Sequence, residues 1–327
     1  MAKHVMIYRR GLPEALLERL KEHFEIEDFS HLESPLDDEQ FKQALTRVHG
    51  MIGASVKLDR SVLETADKLE AISSISVGVD NYDIDFLNER GIVLCHTPDV
   101  LTETTADTAF ALILASARRV VELAEYVKSG EWDKSLEEPL FGVDVQGKKL
   151  GIVGMGRIGA AIARRGRFGF NMEVSYHNRS RHEQYEREIG ATYKELDALL
   201  RDSDFVCVTV PLSKNTEKMF GKREFELMGS NTIFVNISRG QVVDEEALIE
   251  ALQNGTILGA GLDVFVKEPL PKDSPLPKLK NVVALPHIGS ATHETRYAMA
   301  ELAVDNLIAA LNGDKPKAPY NWDDTKK

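Results

Sequence analysis

One cluster of glycines limits what this chain can fold into more than any other feature. Residues 149–153, Lys-Leu-Gly-Ile-Val, read as a short buried strand. They run directly into Gly154-Met155-Gly156-Arg157-Ile158-Gly159 and then into a helical pattern. A strand before and a helix after are the context that gives this glycine spacing its meaning. Gly154 permits a tight turn, Gly156 lets backbone approach a pyrophosphate with no Cβ in the way, and Gly159 lets helix and strand pack closely. The helix N-terminus then faces the phosphates with unpaired amides and partial positive charge. The spacing predicts the opening βα unit of a dinucleotide-binding domain.

The surrounding pattern agrees. Short apolar runs alternate with amphipathic segments from end to end, as in parallel strands joined by helical crossovers. A first series places strands at 4–8, 51–54, 71–74 and 92–95, with helices at 13–24 and 38–48; Pro13 suits a helix start. A second series places strands at 149–153, 173–176, 205–210, 232–236, 259–264 and 282–285, nearly all apolar, as in strands covered on both faces. Between the two series, residues 102–130 read as one long helix with Thr102 as N-cap and Gly130 just past its end. A last helix covers 292–311 and stops at Gly313, and the polar tail 315–327 is expected on the surface.

A net charge of -12 over 327 residues argues against a nucleic-acid partner or an anionic membrane. An anionic cofactor then needs a local positive site, which the helix after Gly156 supplies. Cys95 and Cys207 sit in apolar runs, too few for a disulfide framework and without metal-ligand partners at short spacing. A reducing compartment is the simplest reading. The N-terminus lacks the apolar stretch of a signal peptide, and the apolar stretch 106–117 is too short to span a bilayer, so a cytoplasmic protein is expected. No metal is expected, because His96, His287 and His293 lack acid or Cys partners at ligand spacing.

The turn after the strand at 173–176 bears on the choice of cofactor. An NAD-specific site places Asp or Glu there to bond the ribose 2′-hydroxyl. This turn reads His177-Asn178-Arg179-Ser180-Arg181 and holds no acid. Two arginines and a serine suit a 2′-phosphate through charge-assisted hydrogen bonds. NADP(H) is the expected preference, with NAD(H) as the alternative.

Three further motifs fall at carboxyl ends of strands in the second series. They are Asn236-Ile237-Ser238-Arg239-Gly240, Gly261-Leu262-Asp263 running on to Glu268-Pro269, and Pro286-His287-Ile288-Gly289-Ser290-Ala291-Thr292. Ligands of open α/β sheets bind at that edge, so Arg239, Glu268 and His287 are expected to converge beside the cofactor.

Together with Gly154–Gly159, these motifs resemble the D-isomer-specific 2-hydroxyacid dehydrogenase family over nearly the whole chain. Ser76-Val77-Gly78-Val79-Asp80-Asn81 resembles the family's substrate loop, and Thr97-Pro98-Asp99-Val100-Leu101-Thr102-Glu103 its hinge. The branch it looks most like is that of the glyoxylate/hydroxypyruvate reductases, including enzymes that reduce 2-ketogluconate. The resemblance implies hydride transfer from nicotinamide to the carbonyl carbon of a small 2-keto acid. Charge developing on the carbonyl oxygen then needs a proton. His287 suits the donor role near neutral pH, Glu268 can orient and charge its ring, and Arg239 can grip the carboxylate with a planar fork. By resemblance, the amides near Val77 and Gly78 also hold the carboxylate. Asp263 corresponds to the family's acid near the nicotinamide, and Arg157, Ile158, Pro211, Ile237 and Ser290 to its cofactor contacts. Asp263 also has a purely structural reading, as a buried strand-end acid satisfied by backbone amides.

The fold class expected is α/β, with two Rossmann-like doubly wound parallel-sheet domains and an interdomain active-site cleft. A flavodoxin-like, substrate-binding domain takes 1–100 and 289–327, and the dinucleotide-binding Rossmann domain takes 101–288. The helix from Thr102 resembles the family's dimerisation region, so a homodimer is expected. Two other functions stay in view: a phosphoglycerate dehydrogenase-like enzyme, and a nonenzymatic NAD(H)-sensing corepressor-like protein. Formate dehydrogenase, a third relative, needs no His–Glu pair, and Glu268 counts against it.

Overall fold

The computed structural model of the protein describes residues 2–322. The chain forms two compact units, one built from the chain up to Leu101 and from Thr292 onward, the other from Thr102–Ala291. Each holds one all-parallel sheet.

The first unit contains β1 (His4–Tyr8), β2 (Glu25–Phe29), β3 (Gly50–Gly53), β4 (Ala71–Ser74) and β5 (Val93–Cys95), in the spatial order β2-β1-β3-β4-β5. The strand at β2 was not expected. Its sequence, Glu-Ile-Glu-Asp-Phe, is acidic and only Phe29 is buried, so an edge strand here lacks the apolar run that marks the others. Helix His293–Asn312 belongs to this unit and packs on β3 and β4. Thr292 caps it, accepting from the Thr295 amide, and Gly313 at φ +82° ends it. Its close fit depends on Gly50, where a Cβ would lie 2.7 Å from the Leu311 side chain.

The C-terminal tail departs from the surface position expected of it. Pro316 and Ala318 are buried, and the tail runs along β5. The His96 amide donates to Ala318 O, and the Tyr320 amide to Leu94 O. The Asn321 Oδ1 accepts from the Leu94 amide. The tail therefore satisfies edge-strand groups that would otherwise need water, a role its polar composition hid. The expected tail also includes residues 323–327, which lie outside the described residues.

The second unit contains β6 (Lys149–Val153), β7 (Glu173–His177), β8 (Thr192–Tyr193), β9 (Phe205–Val208), β10 (Ile233–Asn236), β11 (Gly259–Leu262) and β12 (Val282–Ala284), ordered β12-β11-β10-β9-β6-β7-β8. The two-residue edge strand β8 is too short to leave a sequence signal. Strand order reverses between β6 and β9, which places a ligand crevice at their carboxyl ends.

The single helix expected over 102–130 is two, Thr102–Ala117 and Val120–Lys128. Continuing the first would require the Val121 amide to donate to Ala117 O. That oxygen instead accepts from the Val143 amide at 2.8 Å. Arg119 takes the left-handed φ of +54° at the break. Its guanidinium pairs with Glu122 and donates to Pro139 O. Both cysteines are free and buried, and burial pushes each thiol up to about 12. Among the described residues, no helix is long and apolar enough to cross a membrane.

Candidate active site

The cofactor end of the site begins where β6 meets its glycines. Gly154 sits at φ +105°, and a Cβ on it would lie 2.7 Å from the Val210 amide nitrogen. A Cβ on Gly159 would lie 2.4 Å from Gly154 O, whereas one on Gly156 would meet nothing within 4 Å. Two glycines are thus needed for packing, and the third faces open space. Gly156 offers no side-chain cap to helix Arg157–Arg164, so the first amides there suit an external acceptor such as a pyrophosphate.

The residues of the basic turn after β7 have different tasks. The Asn178 Oδ1 accepts from the Met155 amide at 2.8 Å, and its Nδ2 donates to Met155 O at 3.3 Å. Asn178 therefore clasps the glycine turn. The Arg181 guanidinium is already engaged by Glu186, donating at 3.1 and 2.7 Å. That contact, followed by the Tyr176 hydroxyl, holds the Glu186 carboxyl below its ordinary range. Arg179 is exposed and makes no ion pair with another described residue, so Arg179 and Ser180 are the available donors of this turn.

The chemical end lies at the tips of β10, β11 and β12. Asn236, 1% exposed, ends β10. Its Oδ1 accepts from the Ser238 amide at 3.0 Å and hydroxyl at 2.9 Å, and its Nδ2 donates to Arg239 O at 3.0 Å. This turn sets the direction of Arg239. Gly240 then passes so close to the next loop that a Cβ on it would be 1.9 Å from the Phe265 carbonyl carbon.

Glu268 ends that neighbouring loop. Its Oε1 accepts from the Phe265 amide at 3.0 Å, and its Oε2 pairs with His287 Nδ1 at 2.7 Å. Burial opposes its ionisation, but the bonds from His287 and Phe265 and the charges of His287 and Arg239 outweigh it. The carboxyl is held below its ordinary pKa.

His287 itself sits at φ +54°, a conformation that costs a non-glycine residue about 1–3 kcal/mol. Asp263, 1% exposed, holds it there. Its two oxygens accept from the Ile288 amide at 2.7 Å and the Gly289 amide at 2.8 Å. Burial raises the Asp263 pKa, and the two amide bonds and His287 oppose that rise.

Three strand tips therefore bring Arg239, Glu268, His287 and Asp263 together. Ile237 is buried, Ser290 is half-buried just after the His287 loop, and Pro211 is exposed beyond β9. Val77 and Gly78 belong to the other unit, in the loop after β4. There the Thr97 amide donates to Ser76 O, and the Tyr82 amide to Val79 O. No described residue accepts the N–H of Val77 or Gly78. Sequence reasoning gave Asn236 no role, although Asn two residues before Ser at a strand end is the signal of such a turn.

Residues 110–289 match the model of the D-isomer specific 2-hydroxyacid dehydrogenase NAD binding domain. The chain is 56% identical to a glyoxylate/hydroxypyruvate reductase B of Escherichia fergusonii, over 98% of each protein. The crystal structure of the TT0316 protein from Thermus thermophilus is 41% identical, with a TM-score of 0.87, over 97% of this chain and 100% of that one. An NADPH-dependent glyoxylate/hydroxypyruvate reductase from Sinorhizobium meliloti, in complex with NADP and malonate, is 34% identical, with a TM-score of 0.87, over 98% of this chain and 97% of that one. The chain belongs to the D-isomer specific 2-hydroxyacid dehydrogenase family.

The close approach at Gly240 can be tested by substitution. Gly240→Ala forces the Arg239 and Glu268 loops apart and should destabilise the protein by about 1–3 kcal/mol. Urea unfolding measures the loss, and kcat/KM should fall even where the protein remains folded.

Proposed function

We propose that the protein reduces small 2-keto acids to 2-hydroxy acids with NADPH, with glyoxylate and hydroxypyruvate as the first candidates and 2-ketogluconate within the same class. The observation that carries this reading is the 2.7 Å His287–Glu268 pair beside Arg239. Bound NADPH supplies the hydride. With Nδ1 committed to Glu268, Nε2 of His287 is the ring's proton donor to the carbonyl oxygen. Glu268 keeps its negative charge below the ordinary carboxylate range and so supports the protonated ring. Arg239 grips the substrate carboxylate and polarises the ketone, while the amides of Val77 and Gly78 provide a second hold on the carboxylate. Asp263 serves as the positioning residue for the His287 loop.

His287→Ala should lower kcat by about 10²–10⁴-fold, the range for losing a general acid, with NADPH affinity retained. Glu268→Gln should keep measurable activity. Removing the negative neighbour disfavours the charged ring, so the alkaline limb of kcat/KM should move to lower pH. An unmoved limb would remove the pairing from the mechanism.

The NADPH preference rests on Arg179 and Ser180 in a turn without an acid. Arg179→Asp should cut kcat/KM for NADPH by roughly tenfold or more, the scale of one charge-assisted contact, and spare NADH. Arg181→Ala should have the smaller effect, because Glu186 already engages that guanidinium. Equal losses with both cofactors would count against the assignment.

We also read the protein as a homodimer. Helix Val120–Lys128 buries no residue, and Val120, Val127, Trp132, Leu136 and Phe141 are exposed around it. A run of large exposed apolar side chains marks a partner surface. Val127→Asp with Phe141→Asp should convert a dimer to a monomer in sedimentation velocity, and a monomeric parent protein would refute the reading.

A further inference from the structure

His96 lies at the end of β5, outside every role assigned above. Its Nδ1 is 3.0 Å from Val77 O. A carbonyl oxygen can only accept, so Nδ1 carries the proton. The oxygen it holds belongs to the same peptide as the Gly78 N–H. A trans peptide is planar, and its C=O and N–H point opposite ways. Fixing the oxygen on His96 therefore aims the Gly78 N–H directly away from the imidazole. A donor on the oxygen also polarises the peptide, which strengthens its N–H as a donor in turn.

The imidazole is itself held firmly for this task. The His96 amide donates to Ala318 O at 3.1 Å. Its carbonyl accepts from the buried Asn306 side chain at 3.2 Å. Its ring stands edge-on to Tyr320, with centroids 5.5 Å apart. The tail that runs along β5 thus helps to fix this side chain.

We propose that His96 is a positioning residue for substrate: through the Val77–Gly78 peptide it aims and polarises the amide that receives the 2-keto acid's carboxylate. This rests on the reading that the loop at Val77 and Gly78 binds that carboxylate. The chain runs from the imidazole N–H to the Val77 oxygen, across the peptide, and from the Gly78 N–H to the carboxylate. Its effect falls on keto-acid affinity, not on the hydride or proton step.

The test uses the full protein with glyoxylate, its methyl ester and NADPH. His96→Leu keeps bulk but removes the donor. It should raise the KM for glyoxylate by about tenfold, the scale of one hydrogen bond to a charged group, while the KM for NADPH and kcat stay within about twofold. The ester, which lacks the carboxylate, should show no such rise. His96→Asn places an amide nitrogen on the same branch atom as Nδ1 and should restore the glyoxylate KM. An unchanged KM in His96→Leu, or a His96→Asn variant as impaired as His96→Leu, overturns the role of His96. A parent enzyme that takes the ester as readily as the acid overturns the carboxylate reading itself. A parent that prefers the acid, with His96→Leu unimpaired, overturns only the inference about His96.

Discussion

The geometry of the candidate site depends on one buried carboxylate. Asp263 accepts two consecutive amides, those of Ile288 and Gly289, at 2.7 and 2.8 Å. These bonds offset the cost of placing His287 in the left-handed region, since a buried carboxylate without them would carry a large desolvation penalty. The loop is thereby held with the imidazole toward Glu268. Glu268 is tied in turn to the Phe265 amide, and Gly240 lets the Arg239 loop press against Phe265. Asp263 thus holds the His287 loop, Glu268 is held by the Phe265 amide, and the Arg239 loop is held by its close approach to Phe265.

The same logic governs the cofactor end. Gly154 and Gly159 are glycines because neighbouring backbone leaves no room for a Cβ, while Gly156 leaves space in front of the helix. Asn178 commits both ends of its amide to Met155, which makes the turn after β7 part of the glycine loop's support. The basic character of that turn then comes down to Arg179, because Glu186 engages Arg181.

Much of this was legible in the sequence, for physical reasons. Strands buried on both faces must be apolar, so the central strands announce themselves. Motifs at strand tips follow those runs directly, which singled out Arg239, Asp263, Glu268 and His287 as candidates. The structural reading of Asp263, as an acid satisfied by amides, is the arrangement observed. What stayed hidden depends on partners distant in sequence. The break at Arg119 arises because the Val143 amide takes the Ala117 carbonyl. The edge strand β2 needs only one buried side chain. The tail's place beside β5 rests on backbone bonds to Leu94 and His96, which polar composition cannot reveal. The engagement of Arg181 likewise needs Glu186 on the following helix.

The central claim is that His287 and Arg239 address one ketone oxygen while Glu268 holds the far side of the ring. A crystal structure with NADPH and oxamate, an unreactive isostere of a 2-keto acid, tests it most directly. The account predicts His287 Nε2 and an Arg239 nitrogen both within hydrogen-bond distance of the inhibitor, with His287 Nδ1 still on Glu268. Oxamate bound away from these groups, or an imidazole turned off Glu268, would contradict it.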